Sequence, residues 1–362
     1  TININGSAPF TLGTGTTAVA GAGTTINAAT ATGNLTITGT NFETITLGTG
    51  DDTLKIGSTQ ISQTTAAAKV NFNGGAGTDT LVLGAQDLSA SGFLNGVATS
   101  TDVVTNFETL TATGTIATGG TADLARGIDA NVISGITTIK VELDNLDTAT
   151  AHNTGEDITL TVSDLIAGQT VQASAVDQSI NTNDTDVVLD MDSPTGSSDK
   201  IIFESVASSA ATAHVNVFDN VTVNTTSVSS TTERVEILEI KASNPNVTTT
   251  VGTTIDDLVA DDTATINFTG ASNITVGEVK IYDSSTADTT VATIDASAFT
   301  GNLTLGTTGQ DFKTDDADDI TLTLGTGTNA VYAGTALGTG DTITGSLGTA
   351  DTLHVTGGGG VP

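Results

Sequence analysis

Apolar residues alternate with threonine along many short segments of this chain. Residues 35–38 read Leu-Thr-Ile-Thr, residues 45–47 read Ile-Thr-Leu, and residues 320–324 read Ile-Thr-Leu-Thr-Leu. Alternation with a period of two buries one face of a β-strand and exposes the other. Gly, Asn and Asp, which favour turns, separate these segments. The sequence therefore predicts an all-β fold.

Helical signals are few and short. Residues 163–168 and 254–258 each begin with a Ser or Thr that suits a helix N-cap, and residues 121–133 offer a third candidate. We therefore expect very little helix.

Glycine density divides the chain. It is high before residue 120, falls between 128 and 290, and rises again after 300. Frequent turns between short strands favour a parallel β-solenoid, or β-roll, whereas long Gly-poor strands favour a β-sandwich-like region. The sequence predicts a Gly/Thr-rich solenoid-like domain at 1–120, a Gly-poor sandwich-like domain at 121–290 and a second solenoid-like domain at 291–362.

Two internal repeats support stacked strands. Residues 26–37 match residues 294–305, and Asn-Phe-Glu-Thr occurs at both 41–44 and 106–109. Repeats of this kind indicate rungs of a solenoid. We expect Phe42 and Phe107 to fill equivalent core positions, with Glu43 and Glu108 facing outward.

The charge limits the choice of partners. The chain has 41 acidic residues against 9 Lys and Arg, for a net charge of −32. Nucleic acids and anionic membrane surfaces need clustered cations, so we expect neither as a partner. No apolar run reaches the roughly 18 residues of a membrane span, so we expect no membrane insertion. There is no Cys, which excludes disulfides. Divalent cations are the ligands that such a chain attracts.

One loop has the spacing of a calcium-binding nonapeptide. Residues 74–81 read Gly-Gly-Ala-Gly-Thr-Asp-Thr-Leu, which fits G-G-x-G-x-D-x-U, where U is a large apolar residue. The glycines permit a tight turn, the Asp supplies a carboxylate, and the apolar residue begins a strand. Ca²⁺ takes six to eight oxygen ligands, so such loops must stack. The predicted calcium ligands, from this loop, from weaker relatives of it and from an acidic cluster, are Gly48, Gly50, Asp51, Asp52, Gly74, Gly75, Gly77, Asp79, Asp311, Asp315, Asp316, Asn329, Asp341 and Asp351. Ordinary Gly-Asp turns without metal are the alternative, and a solvated loop is the alternative for the acidic cluster.

Catalytic signatures are missing from the sequence. It has neither an H-E-x-x-H zinc motif nor a G-x-S-x-G nucleophile elbow, and it has only three histidines. We expect a protein that is not an enzyme and has no catalytic residues.

These motifs and the low-Lys, Cys-free, Thr-rich composition resemble the RTX-related, type I-secreted S-layer proteins of Gram-negative bacteria. The resemblance implies calcium-dependent folding outside the cell and self-assembly into a two-dimensional lattice on the bacterial cell surface. It also implies an anchor to lipopolysaccharide, which we expect outside this segment of a longer chain. A large RTX-type adhesin and the non-catalytic β-domain of a secreted hydrolase remain as alternatives.

Overall fold

The computed structural model confirms the all-β fold class. Its described residues form 26 β-strands and no α-helix. By their contacts they divide into two compact units, residues 1–120 with 126–150 (unit 1) and residues 121–125 with 151–362 (unit 2). The division into three domains stays a prediction. The described residues are 1–13, 19–56, 70–84, 103–113, 124–143, 158–175, 185–191, 198–206, 216–224, 235–243, 252–261, 263, 265–282, 292–309, 311–312, 319–334, 337–346 and 350–355.

Unit 1 is a parallel solenoid with two columns of paired strands. Its strands, together with β10 at the division between the units, are β1 (Ile2–Gly6), β2 (Phe10–Leu12), β3 (Val19–Ala31), β4 (Leu35–Thr46), β5 (Thr53–Ile56), β6 (Asn71–Asn73), β7 (Thr80–Gly84), β8 (Val103–Thr105), β9 (Thr109–Thr113), β10 (Leu124–Asp129) and β11 (Thr138–Glu142).

The long strand β4 belongs to both columns of unit 1. Its first half pairs with β2 and β5, and its second half pairs with β3 and β6. The first column continues through β7, β9 and β11, and the second continues to β8. All of these pairings are parallel, so each turn of the chain adds one strand to each column.

Unit 2 has the same parallel arrangement of strands. They are β12 (Ile158–Leu165), β13 (Thr170–Ser174), β14 (Thr185–Met191), β15 (Lys200–Val206), β16 (Asn216–Asn224), β17 (Ile237–Ser243), β18 (Gly252–Asp261), β19 (Thr265–Gly270), β20 (Asn273–Tyr282), β21 (Ala292–Asp295), β22 (Leu303–Leu305), β23 (Ile320–Thr323), β24 (Ala330–Tyr332), β25 (Thr342–Thr344) and β26 (Thr352–His354).

Consecutive strands of unit 2 alternate between two parallel sheets. From β13 on, the odd-numbered strands pair with one another, and from β12 on so do the even-numbered strands. The Gly-poor middle of the chain therefore has two facing sheets with the same parallel connectivity as the Gly-rich part after it. The change in glycine density does not change the parallel pairing of the strands.

Stacked aliphatic and aromatic side chains form the core. In unit 1 one buried column runs through Ile37, Leu54, Leu81, Leu110 and Ile139 at successive register positions. In unit 2 the rings of Phe203 and Phe218 meet edge to face across the two sheets, with centroids 5.2 Å apart. The predicted period-two alternation thus stacks the apolar side chains of successive rungs on one another.

The three predicted helical turns are wrong. Residues 254–258 lie within β18, residues 163–165 end β12, and residues 124–129 form β10. Strand β18 pairs on both sides, with β16 and β20, and buries Ile255 and Leu258. Two sets of inter-strand hydrogen bonds and this burial outweigh the local capping preference of the sequence.

The twelve-residue repeat is a structural repeat. The first copy covers the end of β3 and the start of β4 in unit 1, and the second covers the end of β21 and the whole of β22 in unit 2. Leu35 and Leu303 begin the second strand of each copy and are buried. A Cβ on Gly33 or on Gly301 would overlap a backbone carbonyl of the preceding coil, that of Ser7 or Ser272. Both copies therefore fold into the same corner of the solenoid.

The Asn-Phe-Glu-Thr repeat is not a structural repeat. Phe42 and Phe107 are both buried, but Phe42 lies within β4 whereas Phe107 lies in the turn before β9. Glu43 is exposed as predicted, while Glu108 turns toward the preceding coil and accepts a hydrogen bond from the amide of Asp79. The equivalence expected from sequence identity fails because the motif falls at different points of the coil.

In the described part of the chain, no helix is long and apolar enough to cross a membrane.

Phe203→Ala tests the packing between the two sheets of unit 2. Removing a fully buried ring leaves a cavity, and we expect a loss of about 3–5 kcal/mol in the free energy of unfolding, measured by urea denaturation. The matched control is the partly exposed neighbour Ile202, for which Ile202→Ala is expected to cost less than half as much. Equal losses for the two variants would contradict the described burial.

Candidate metal centre

Three carboxylates stack at the same corner of unit 1. Asp52, Asp79 and Glu108 directly precede β5, β7 and β9, at equivalent positions of successive coils. We call them the acidic column. Each accepts a hydrogen bond from the backbone N–H at the equivalent position of the coil before it. The bonds run from Leu35 N to Asp52 Oδ1 at 2.7 Å, from Asp52 N to Asp79 Oδ1 at 2.8 Å and from Asp79 N to Glu108 Oε2 at 2.7 Å.

Glycines make this close stacking possible. Gly75 and Gly77 have φ values of 102° and 135°, a region that residues with a side chain rarely adopt. A Cβ on Gly75 would also overlap the carbonyl oxygen of Gly48 in the coil before it. The tight loop lets the amide of Ala76 reach that carbonyl at 2.9 Å. The loop of Asp79 therefore lies directly on the loop of Asp52, as calcium-type loops must.

A second polar column runs beside the first, one residue earlier in each coil. The amide of Asp51 donates to Asn34 Oδ1 at 3.2 Å, and the amide of Thr78 donates to Asp51 Oδ1 at 2.9 Å. Asp51 is exposed, whereas Asp52 and Asp79 are buried. Asp51 therefore adds negative charge to the rim of the acidic column.

Asp79 differs from the other buried members of this corner. Asp52 uses both oxygens, because its Oδ2 accepts a hydrogen bond from Gly48 N at 3.1 Å. The corresponding amides before Asp79 bind elsewhere: Gly74 N donates to Thr105 O and Gly75 N donates to Asn73 Oδ1. Asp79 has 0% of its surface exposed, and its Oδ2 atom is therefore buried without a hydrogen-bond partner among the described residues.

The electrostatics follow from this burial. Loss of solvent raises the pKa of Asp79 to about 7, and the negative charges of Asp52, Glu108 and Asp51 act in the same direction, while the hydrogen bond from the Asp52 amide opposes them. Burial also raises the pKa of Asp52. A carboxylate in this position needs a proton or a cation to compensate its charge.

The side chains of this corner offer oxygen ligands to a cation. Among the described residues no group of three or more His, Cys, Asp or Glu side chains converges on one point. A cation here would need backbone carbonyls and water in addition to carboxylates, which is the oxygen-rich set that Ca²⁺ accepts. The partnerless Asp79 Oδ2 would supply one hard oxygen ligand, and carbonyls of the stacked loops would have to supply others.

The predicted ligands of unit 2 lie in two separate stacks. Asp351 Oδ1 accepts from Asn329 N at 3.2 Å, whereas Asp341 Oδ1 accepts from Ile320 N at 2.7 Å. The loops of Asn329, Asp341 and Asp351 therefore do not stack in the order of the sequence. Consecutive strands alternate between the sheets, so loops one strand apart lie at corners of different sheets.

Both aspartates of these stacks have protein partners for both oxygens. Asp341 Oδ2 accepts from Gly338 N at 2.7 Å, and Asp351 Oδ2 accepts from Ser346 N at 2.8 Å. Asp311 packs against Gly334, away from these loops. Asp315 and Asp316 lie outside the described residues. Among the predicted ligands that the structure describes, Asp79 thus combines complete burial with a partnerless oxygen.

Glu108 is a site residue that the sequence analysis assigned to the outer surface. It continues the column that begins at Asp52, but it lies 29 residues after Asp79. No fixed spacing marks it, because the coils differ in length: the bonded positions are 17, 27 and 29 residues apart. An acidic residue directly before Thr-Leu is the one signal shared by Asp52, Asp79 and Glu108.

Comparison with protein-family models, with curated proteins and with solved structures gives no match to this chain. The class of protein that the fold defines is a parallel β-solenoid, and arguments about function depend on the site itself.

Asp79→Asn tests the raised pKa in the absence of metal. The folded-state pKa of about 7 lies above the ordinary value of 3.8, so the folded state holds this proton more tightly than the unfolded state. The stabilisation that comes from this tighter proton binding is complete below pH 4. It is lost as the pH rises toward 7, at up to about 1.4 kcal/mol of unfolding free energy per pH unit.

The measurement is urea denaturation in EGTA at pH values from 4 to 8. We expect the difference in the free energy of unfolding between Asp79→Asn and the wild type to shift in favour of the variant as the pH rises. A difference that does not depend on pH would contradict the assignment.

Proposed function

We propose that this chain is a secreted structural subunit of a bacterial surface lattice, an S-layer, whose fold is stabilised by calcium bound at the acidic column. Asp79 carries the proposal, because its buried carboxylate has one partnerless oxygen beside Asp52 and Glu108. The chain is proposed to act as a scaffold and not as an enzyme. Its location is the extracellular face of the cell.

Calcium links folding to the place where the protein works. At a net charge of −32 the metal-free chain repels itself. In the cytosol, where free calcium is scarce, this repulsion favours a loose chain that is suited to export. Outside the cell, sites with a Kd of about 10⁻⁴ to 10⁻³ M are largely filled by millimolar calcium. Each filled site stabilises the folded state by RT ln(1 + [Ca²⁺]/Kd), so that folding follows secretion.

The architecture suits a lattice. A parallel solenoid presents long polar strand faces, and the Thr and Asn positions recur on them in register, for example Thr53, Thr80 and Thr109 in unit 1. Such a surface offers repeated contacts to a second copy of the chain, while calcium bridges acidic groups that would otherwise repel. Anchoring to lipopolysaccharide is assigned to a region outside this segment.

The leading alternative is a segment of a large calcium-binding adhesin of RTX type. It shares the fold and the metal with the S-layer subunit but does not assemble into sheets. A non-catalytic β-domain of a secreted hydrolase is a weaker third possibility. Assembly is therefore the property that separates the two leading functions.

Asp79→Ala tests the metal site. We expect this variant to lose one calcium site or at least about tenfold in affinity, because the carboxylate with the partnerless oxygen is removed. Isothermal titration calorimetry of the metal-free protein measures both quantities. The control is Glu43→Ala, which removes an exposed carboxylate of the same unit. Unchanged site number and affinity in Asp79→Ala would refute the assignment.

Electron microscopy and thermal melting in EGTA, in magnesium and in calcium test the function as a whole. We expect ordered sheets and a raised melting temperature in calcium alone, because Mg²⁺ keeps its waters and prefers octahedral sites. Sheets that persist in EGTA would contradict the role of calcium in assembly. Calcium-stabilised protein that never forms sheets would favour the adhesin.

A further inference from the structure

The loop that ends at Asn329 has the same construction as the loops of the acidic column. Gly325, Gly327 and Asn329 have the spacing of Gly48, Gly50 and Asp52 and of Gly75, Gly77 and Asp79. A Cβ on Gly325 would overlap the carbonyl oxygen of Phe299, just as one on Gly48 would overlap that of Ala31. Phe299 and Ala31 are the same position of the twelve-residue repeat.

The side chains at the ends of these two loops also accept equivalent hydrogen bonds. Asn329 Oδ1 accepts from Leu303 N at 3.1 Å, and Asp52 Oδ1 accepts from Leu35 N at 2.7 Å. Leu303 and Leu35 again match within the repeat. This bond fixes which atom of the Asn329 amide is the oxygen, and it directs the nitrogen to the place of the second carboxylate oxygen.

The loops differ in the partners of the second polar atom of this side chain. Asn329 Nδ2 donates to Gly325 O at 3.0 Å, to Gly327 O at 2.9 Å and to Asp351 Oδ1 at 2.9 Å. Two carbonyls of its own loop and a carboxylate of the next coil thus surround one nitrogen. In the loop of Asp79 the corresponding atom is Oδ2, an acceptor with no donor.

We infer that the amide nitrogen of Asn329 takes the place of the cation that compensates Asp79, so that the 325–329 loop is a metal-free form of the same corner. The inference depends on the proposed function, since it assigns which loops of the chain respond to calcium. An amide N–H₂ and a carboxylate oxygen have similar size, but the first attracts the loop carbonyls and the second repels them. An aspartate at position 329 would therefore place an oxygen against Gly325 O, Gly327 O and Asp351 Oδ1, a set of acceptors that a cation would compensate.

Asn329→Asp is the direct test, and Asn302→Asp is its control. Asn302 is exposed in the adjacent polar column, where its Oδ1 accepts from Thr328 N at 2.9 Å, and an aspartate keeps this bond. Both variants add one negative charge to the same corner. Only the first replaces a donor that faces carbonyls.

The fluorescence of Tyr332 offers a local reading of this loop. Strand β24 begins directly after Asn329 and ends at Tyr332. The ring of Tyr332 stacks on that of His354 with a centroid distance of 4.2 Å. The chain has no Trp and two Tyr, so a Tyr282→Phe background leaves Tyr332 as the single reporter. Thermal melting in this background is followed in EGTA, in millimolar magnesium and in millimolar calcium.

In EGTA we expect Asn329→Asp to lower the melting midpoint by at least about 3 °C. Calcium, but not magnesium, should restore it, and calorimetry should find one more calcium site than in the parent. Asn302→Asp should match the parent in all three conditions. An Asn329→Asp midpoint equal to that of the parent in EGTA, or one that calcium leaves unchanged, would overturn the inference.

The two proposals fail in distinguishable ways. If Asp79→Ala leaves calcium binding of the wild type unchanged while Asn329→Asp gains a site, the assignment of Asp79 is wrong and that of Asn329 stands. If Asp79→Ala loses a site while Asn329→Asp is indifferent to calcium, the inference about Asn329 is wrong and the acidic column stands.

Discussion

Parallel stacking without offset is the constraint on which the rest of this structure depends. Because each coil lies in register on the one before it, residues at equivalent positions are separated by about 4.8 Å along the stack. Apolar residues in such a column form a continuous core, as Leu54, Leu81 and Leu110 do. Carboxylates in such a column repel one another, so every stack of carboxylates needs groups that compensate its negative charge.

The chain compensates these charges in more than one way. In the long-strand part of unit 2, lysines on neighbouring strands pair with glutamates, as Lys241 Nζ does with Glu204 Oε1 at 3.0 Å. Burial alone would raise the pKa of Glu204, but hydrogen bonds from Ser243, Lys241 and Gln172 hold it below its ordinary value. Lys280 similarly bonds Asp257 at 2.7 Å.

The glycine-rich corners use backbone N–H groups instead of lysines. Asp52, Asp341 and Asp351 each receive N–H bonds from two backbone segments, which satisfies both oxygens. Asn329 removes the charge altogether. Asp79 has one bonded oxygen and one without a partner, and this difference makes it the candidate for a bound cation.

The sequence by itself determined the all-β class, the strand character of alternating segments and the loop of Gly75, Gly77 and Asp79, because these depend on local periodicity and on backbone conformations that only glycine adopts easily. The tertiary structure alone decided which coil lies on which. Coil length varies, so neither the place of Glu108 beside Asp79 nor the separation of Asp341 from Asp351 follows from spacing along the chain. Likewise, Asn329 and Asp79 end loops of the same spacing, and only the second polar atom of each side chain tells the loops apart: Asn329 Nδ2 bonds the loop carbonyls, whereas Asp79 Oδ2 has no hydrogen-bond partner among the described residues.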